Sequence, residues 1–159
     1  MADEVMELTP EMKAAIGTSG DPTTYEVTTL GIRTFARAVG YKNPIYFDDE
    51  DAKKKGHPAL VAPPGYLGMP VFNPLKQSAG RRQEFESPFK RNLNGGTAVE
   101  PLARVYAGDI LEAVTTLTNL EILPSRAYGQ MMVRTSETVY TRKSDGTVVA
   151  KTRGTGLSY

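Results

Sequence analysis

The stretch Phe35-Ala36-Arg37-Ala38-Val39-Gly40-Tyr41-Lys42-Asn43-Pro44-Ile45-Tyr46-Phe47-Asp48 closes one predicted helix and opens another. Upstream, Ile32, Phe35, Ala36 and Val39 recur at i, i+3, i+4 and i+7, so they share one face of a short helix that packs on a core. Thr28 or Thr29 supplies its N-cap and Gly40 its stop. Downstream, Asp48, Asp49, Glu50 and Asp51 precede Lys53, Lys54 and Lys55, with Gly56 behind them. Acids at the start and lysines at the end complement a helix dipole, which predicts a second, solvated helix.

Residues 63–75 are apolar but hold Pro63, Pro64, Pro70 and Pro74, so a buried central helix placed there is short or kinked at Pro70. Residues 76–96, with Gly80-Arg81-Arg82 and Asn94-Gly95-Gly96, read as a long, mobile polar loop. Beyond Gly96, segments rich in Val, Ile, Thr and Tyr predict strands at roughly 97–106, 109–123, 129–142 and 147–158. Gly108-Asp109, Pro124-Ser125 and Asp145-Gly146 punctuate them, the last as a type I′ hairpin turn. Helices first and long antiparallel strands second give an α+β chain, one domain over residues 1–159, with a sheet packed on a helix. There is no internal repeat.

Composition narrows the function. Nineteen basic and eighteen acidic residues leave a net charge of +1, so no global field favours nucleic acid or an anionic membrane. Without cysteine there is no disulfide, thiolate nucleophile or cysteine-ligated zinc or iron–sulfur site. The single histidine, His57, does not complete any chemistry that needs two imidazoles in one chain. The acidic start, with no apolar run of signal or membrane-span length, leads to the expectation of a cytoplasmic protein.

The run 36–48, continued by Ala52, Gly56 and Val61-Ala62-Pro63-Pro64-Gly65, resembles the MaoC-like, or hydratase-2, family, most closely its FAS1-like dehydratase N-terminal branch. Gly95-Gly96, Gly108-Asp109 and Gly129-Gln130-Met131 follow in the order the branch shows, so the resemblance spans about residues 15–159. It implies a single hot-dog fold, an antiparallel sheet wrapped around a central helix. It also implies (R)-specific hydration of enoyl thioesters, or the reverse dehydration, in fatty acid metabolism. No cofactor is implied beyond coenzyme A or an acyl-carrier arm as the carrier of the acyl group.

Active members use an Asp and a His five residues apart around Asn-Pro, because one group must activate water while a proton is delivered at the neighbouring carbon. A glycine N–H further on polarises the thioester carbonyl. In this chain Tyr41 stands in the Asp position and Tyr46 in the His position. A phenol, with an ordinary pKa of about 10, is a poor base at pH 7 and no substitute for a carboxylate. Counting eighteen residues beyond Tyr46 gives Pro64, which has no N–H; a shift of one residue gives Gly65 instead. Fallback candidates for a relocated base are His57, otherwise a surface or cap residue, and Asp48, otherwise the cap of the following helix. Asp109 reads as a turn residue.

Three losses at one site point to a half of an enzyme. The resemblance implies a non-catalytic subunit that shapes the acyl pocket, with Tyr41, Asn43, Tyr46, Pro63, Pro64 and Gly65 lining it. A partner MaoC-like chain would then hold the Asp and His. Arg81, Arg82, Lys90 and Arg91 are candidates for coenzyme A phosphates. Two alternatives remain open: an independently active hydratase or thioesterase with a relocated base, and a homodimer that only binds acyl thioesters. The terminal strand Val148–Leu157 is expected to need a pairing partner, which points to an oligomer.

Overall fold

The computed structural model describes residues 6–72 and 85–159. Helix α1 (Pro10–Ala15) starts at the Thr9 cap, strand β1 (Thr23–Glu26) follows, and helix α2 (Thr29–Ala38) starts at Thr28, whose side chain accepts from the Gly31 N–H. A 3-10 turn at Pro44–Tyr46 leads into helix α3 (Asp49–Lys54), then strand β2 (Met69–Pro70). Four long strands complete the chain: β3 (Asn92–Pro101), β4 (Ile110–Ser125), β5 (Gly129–Arg142) and β6 (Val148–Ser158). All six strands form one antiparallel sheet in the order β2-β1-β4-β5-β6-β3.

This is the expected α+β hot-dog arrangement. The central helix is α2. Its Ile32 and Ala36 are fully buried, and Ile32 joins Val27, Leu60, Tyr66, Val105, Leu111 and Val149 in one core cluster. Burying a side chain such as Ile32 or Leu111 contributes about 1.5–3 kcal/mol, so the i, i+3, i+4 pattern of α2 is what fastens it to the sheet. A second cluster, Met12, Ala15, Phe85, Leu117, Leu120 and Met132, lies under α1.

Several expectations shift. No helix occupies the described part of 63–75: Pro63–Tyr66 is a tight turn closed by Tyr66 N–H donating to the Pro63 carbonyl at 3.0 Å, and β2 follows. Pro64 at its second position and Gly65 at its third, with φ of +88°, fit a type II turn, which the four prolines favour over a helix. Of the loop expected over 76–96, residues 76–84 lie outside the described residues, and residues 92–96 instead open β3, with a bulge at Gly95-Gly96 inside that strand. At the hairpin only Gly146 has positive φ, so the turn is not type I′. The Asp145 carboxylate instead accepts from the Thr147 N–H at 2.9 Å, and Gly146 N–H donates to the Arg142 carbonyl. The terminal strand β6 is paired on both sides; the long open edge is β3, whose ten residues are all exposed.

Candidate functional site

The 35–48 run folds as its residue types dictate. Gly40 takes a φ of +80° to end α2, and the Tyr41 N–H turns back to the Ala36 carbonyl at 2.9 Å. The Asn43 side chain caps the 3-10 turn by accepting from Ile45 N–H at 3.3 Å, with Pro44 at its first position. Ile45 is buried against Ala52 and Val61, and the Val61 N–H donates to the Ile45 carbonyl at 3.2 Å. These contacts carry Tyr46 to the wall of a cleft.

The cleft has a volume of about 310 Å³. One wall is Val61–Leu67 with Tyr46, the other runs from Val99 through Pro101–Val105, and Val149 and Ala150 form part of the lining. The two walls are stitched together by backbone hydrogen bonds from Ala62 N–H to Val105 carbonyl (2.8 Å) and from Ala107 N–H to Leu60 carbonyl (2.9 Å). Leu102 and Val99, at 50% and 41% exposure, bring the cleft to the open β3 edge.

Tyr46, Pro63, Pro64 and Gly65 thus come together as expected. Tyr41 does not line the cleft: it is exposed and packs against Tyr46, with ring centroids 5.6 Å apart. Asn43 serves the turn rather than the lining. Pro64 presents no N–H, and the Gly65 N–H makes no protein hydrogen bond among the described residues.

The fallback residues have structural work. Asp48 caps α3 by accepting from the Glu50 and Asp51 N–H groups at 2.8 and 3.1 Å, and those two hydrogen bonds hold its carboxyl below the usual range. His57 lies outside the cleft lining, with its ring 6.0 Å from that of Tyr106. The Asp109 carboxylate accepts from Tyr106 N–H at 2.9 Å and from Arg142 Nε at 3.2 Å. Arg142 also pairs with Asp145 at 2.9 Å and donates to the Arg104 carbonyl, so the node braces the cleft wall from behind.

Of the phosphate candidates, Arg81 and Arg82 lie outside the described residues. Lys90 and Arg91 precede β3 at the end away from the cleft, separated from it by roughly 25–30 Å of strand at about 3.3 Å per residue. Among the described residues the charged residue that lines the cleft is Arg104, which no motif singles out. Its signal was faint: a lone arginine in a predicted strand, three residues upstream of Ala107-Gly108-Asp109.

Among the described residues no cluster of three or more His, Asp or Glu is placed to hold a metal, and no helix is long and apolar enough to cross a membrane. Chemically the cleft is a largely apolar receptacle with the phenols of Tyr46 and Tyr66 and the charged residue Arg104, and among the described residues its lining holds no carboxylate–imidazole pair.

Residues 14–152 match the family described as the FAS1-like dehydratase domain region. A UPF0336 protein of Streptomyces coelicolor is 38% identical over 111 residues, 66% of this chain and 70% of that one. The fold is shared with solved structures. The ChsH1–ChsH2 complex from Mycobacterium tuberculosis superposes with a TM-score of 0.69 at 21% identity, covering 92% of this chain and 90% of that one. The HadBC (3R-hydroxyacyl-ACP dehydratase) complex from the same organism gives 0.66 at 20% identity, over 90% and 96%.

Proposed function

The chain belongs to the FAS1-like dehydratase region of the MaoC-like hot-dog family, and on that premise we propose that it is the pocket-forming, non-catalytic subunit of a heteromeric (R)-specific enoyl-thioester hydratase or 3-hydroxyacyl-thioester dehydratase. The observation that carries this reading is the pair Tyr41 and Tyr46 at the motif. Tyr46, which stands at the motif's imidazole position in the sequence, lines the cleft, while Tyr41 is exposed and outside the lining.

Hydration needs two proton-transfer groups within hydrogen-bond reach of one water. Among the described residues the lining offers no such pair, and His57, Asp48 and Asp109 all lie outside it. What the lining does offer is apolar wall without buried carboxylate, which lowers the desolvation cost of a bulky acyl group. A second MaoC-like chain that carries Asp and His would supply the chemistry. The open β3 edge, with Leu93, Val99 and Leu102 exposed beside free strand hydrogen-bonding groups, is a suitable surface for that subunit. Coenzyme A or a carrier-protein arm would bring the acyl group, and the cytoplasm is the compartment we assign.

The test is reconstitution. The chain is purified alone and together with a MaoC-like chain bearing the intact motif, and hydration of crotonyl-CoA and larger enoyl-CoA esters is followed by loss of the conjugated thioester absorbance. Activity in the mixture alone supports the proposal; turnover by the lone chain sinks it.

A further inference from the structure

Arg104 is an exposed, charged residue in the lining of a largely apolar cleft, and among the described residues that lining contains no acid to neutralise it. Its guanidinium forms no ion pair or hydrogen bond with another described residue, while Asp109 and Asp145, which meet the Arg104 backbone through Arg142, are both engaged by Arg142. Its backbone is nonetheless held firmly. The Arg104 carbonyl accepts from Arg142, the next carbonyl, of Val105, accepts from Ala62 N–H at 2.8 Å, and the preceding Ala103 N–H donates to Val149 at 3.0 Å. A cation with fixed backbone and no partner, beside low-dielectric walls, is arranged to meet an anion that arrives with an apolar ligand.

We propose that Arg104 recognises the phosphate of a phosphopantetheine-type carrier arm, the group that coenzyme A and acyl-carrier protein share, while the apolar part of the thioester lies between Pro63–Gly65 and Val99–Leu102. The inference rests on reading the cleft as an acyl-thioester pocket. A phosphate suits the site because its oxygens accept the two parallel N–H donors of a guanidinium. Lys90 and Arg91, at the other end of β3, are not available to the same cleft.

The test compares hexanoyl-CoA, hexanoyl-phosphopantetheine and uncharged hexanoyl-N-acetylcysteamine, titrated calorimetrically into the chain alone and into its reconstituted complex. Arg104→Ala is expected to weaken both phosphate-bearing ligands about tenfold, with reduced salt dependence. Arg104→Lys should recover part of the loss, and neither variant should alter the uncharged thioester. Loss for hexanoyl-CoA alone narrows the source to the phosphates that only coenzyme A carries and overturns the shared-arm assignment. The assignment is also overturned by equal loss on all three ligands, by no loss, by loss confined to the uncharged thioester, or by failure of the wild type to bind hexanoyl-CoA in either form. Turnover is read separately. Arg104-dependent binding without turnover in any mixture sinks the subunit proposal alone, whereas partner-dependent turnover whose KM ignores Arg104 sinks this inference alone. Unchanged circular dichroism of both variants, expected for an exposed side chain, rules out misfolding as the cause.

Discussion

Two regions on opposite sides of the cleft treat charge in opposite ways. Around Tyr41 and Tyr46 the ionisable pair that defines an active MaoC-like site is absent, and the two rings pack on each other. Behind the opposite wall, Asp109, Arg142 and Asp145 keep a charged node in which each group has a partner, and the node binds the backbone at Arg104 and Tyr106. Burial works against the Arg142 charge, but its bonds to Asp145 and Asp109 outweigh that and hold the guanidinium above its ordinary value. Charge persists where it fixes the shape of the cleft, whereas the two motif positions carry phenols.

The strongest way to break this contrast is Arg142→Ala. It strips a partner from Asp109, whose side chain is only 17% exposed, and frees the Arg104 carbonyl. Removing one member of a largely buried pair costs about 3 kcal/mol, which lowers the melting temperature by about 6–12 °C for a chain of this size. A shift under about 2 °C in calorimetry would mean that the node is ornamental.

Gly31→Ala tests how closely α2 is fitted to the cleft. A Cβ at Gly31 would stand 1.8 Å from the Tyr66 hydroxyl oxygen and 2.9 Å from Cζ. That oxygen is buried without a well-aligned partner, and burial pushes the phenol up, with the nearby Thr28 hydroxyl opposing it. Overpacking of this kind costs about 1–3 kcal/mol. Adding Tyr66→Phe should return part of the loss, because the hydroxyl goes while Cζ remains; urea denaturation of the single and double variants measures both.

A smaller effect is confined to alkaline pH. Burial, and then the neighbouring Tyr25, push the Tyr140 phenol up to about 12. The folded state therefore holds this proton more tightly than the unfolded state. The stabilisation is complete below the ordinary phenol pKa of about 10 and is lost as pH rises through about 12. Stability measured from pH 9 to 12 should fall less steeply in Tyr140→Phe than in the wild type; identical slopes would remove the claim.

The smallest change is expected at the motif itself. Tyr46→Phe deletes only a hydroxyl from the cleft wall, so the reconstituted complex should keep its kcat within about twofold, far from the 10²–10⁴-fold loss that follows removal of a general acid or base. A hundredfold drop would return this region to the catalytic class and reverse the contrast.

The parts legible in the sequence were those set by neighbouring residues. Thr28 as a cap, Gly40 as a stop, Asp48 ahead of three acids, and the strands through 129–142 and 147–158 all follow from local propensity and periodicity, and all appear close to where they were expected. Strand β1 was missed because four residues carry too little alternation to be seen without the β4 strand they pair with. The 63–72 segment was misjudged because apolar composition alone does not separate a buried helix from a turn pinned by prolines.

By itself the sequence determined the family, the identity of the residues at the motif and the absence of cysteine chemistry, since these depend only on which side chains occur and in what order. Tertiary structure decided that Tyr46 faces the cleft while Tyr41 does not, that β3 rather than β6 is the open edge, and that Arg104 is the cation at the cleft. Each of these depends on contacts between segments distant in the chain, such as Ala62 with Val105 or Ala103 with Val149. Spacing along a strand or helix does not encode which distant segment will be its neighbour.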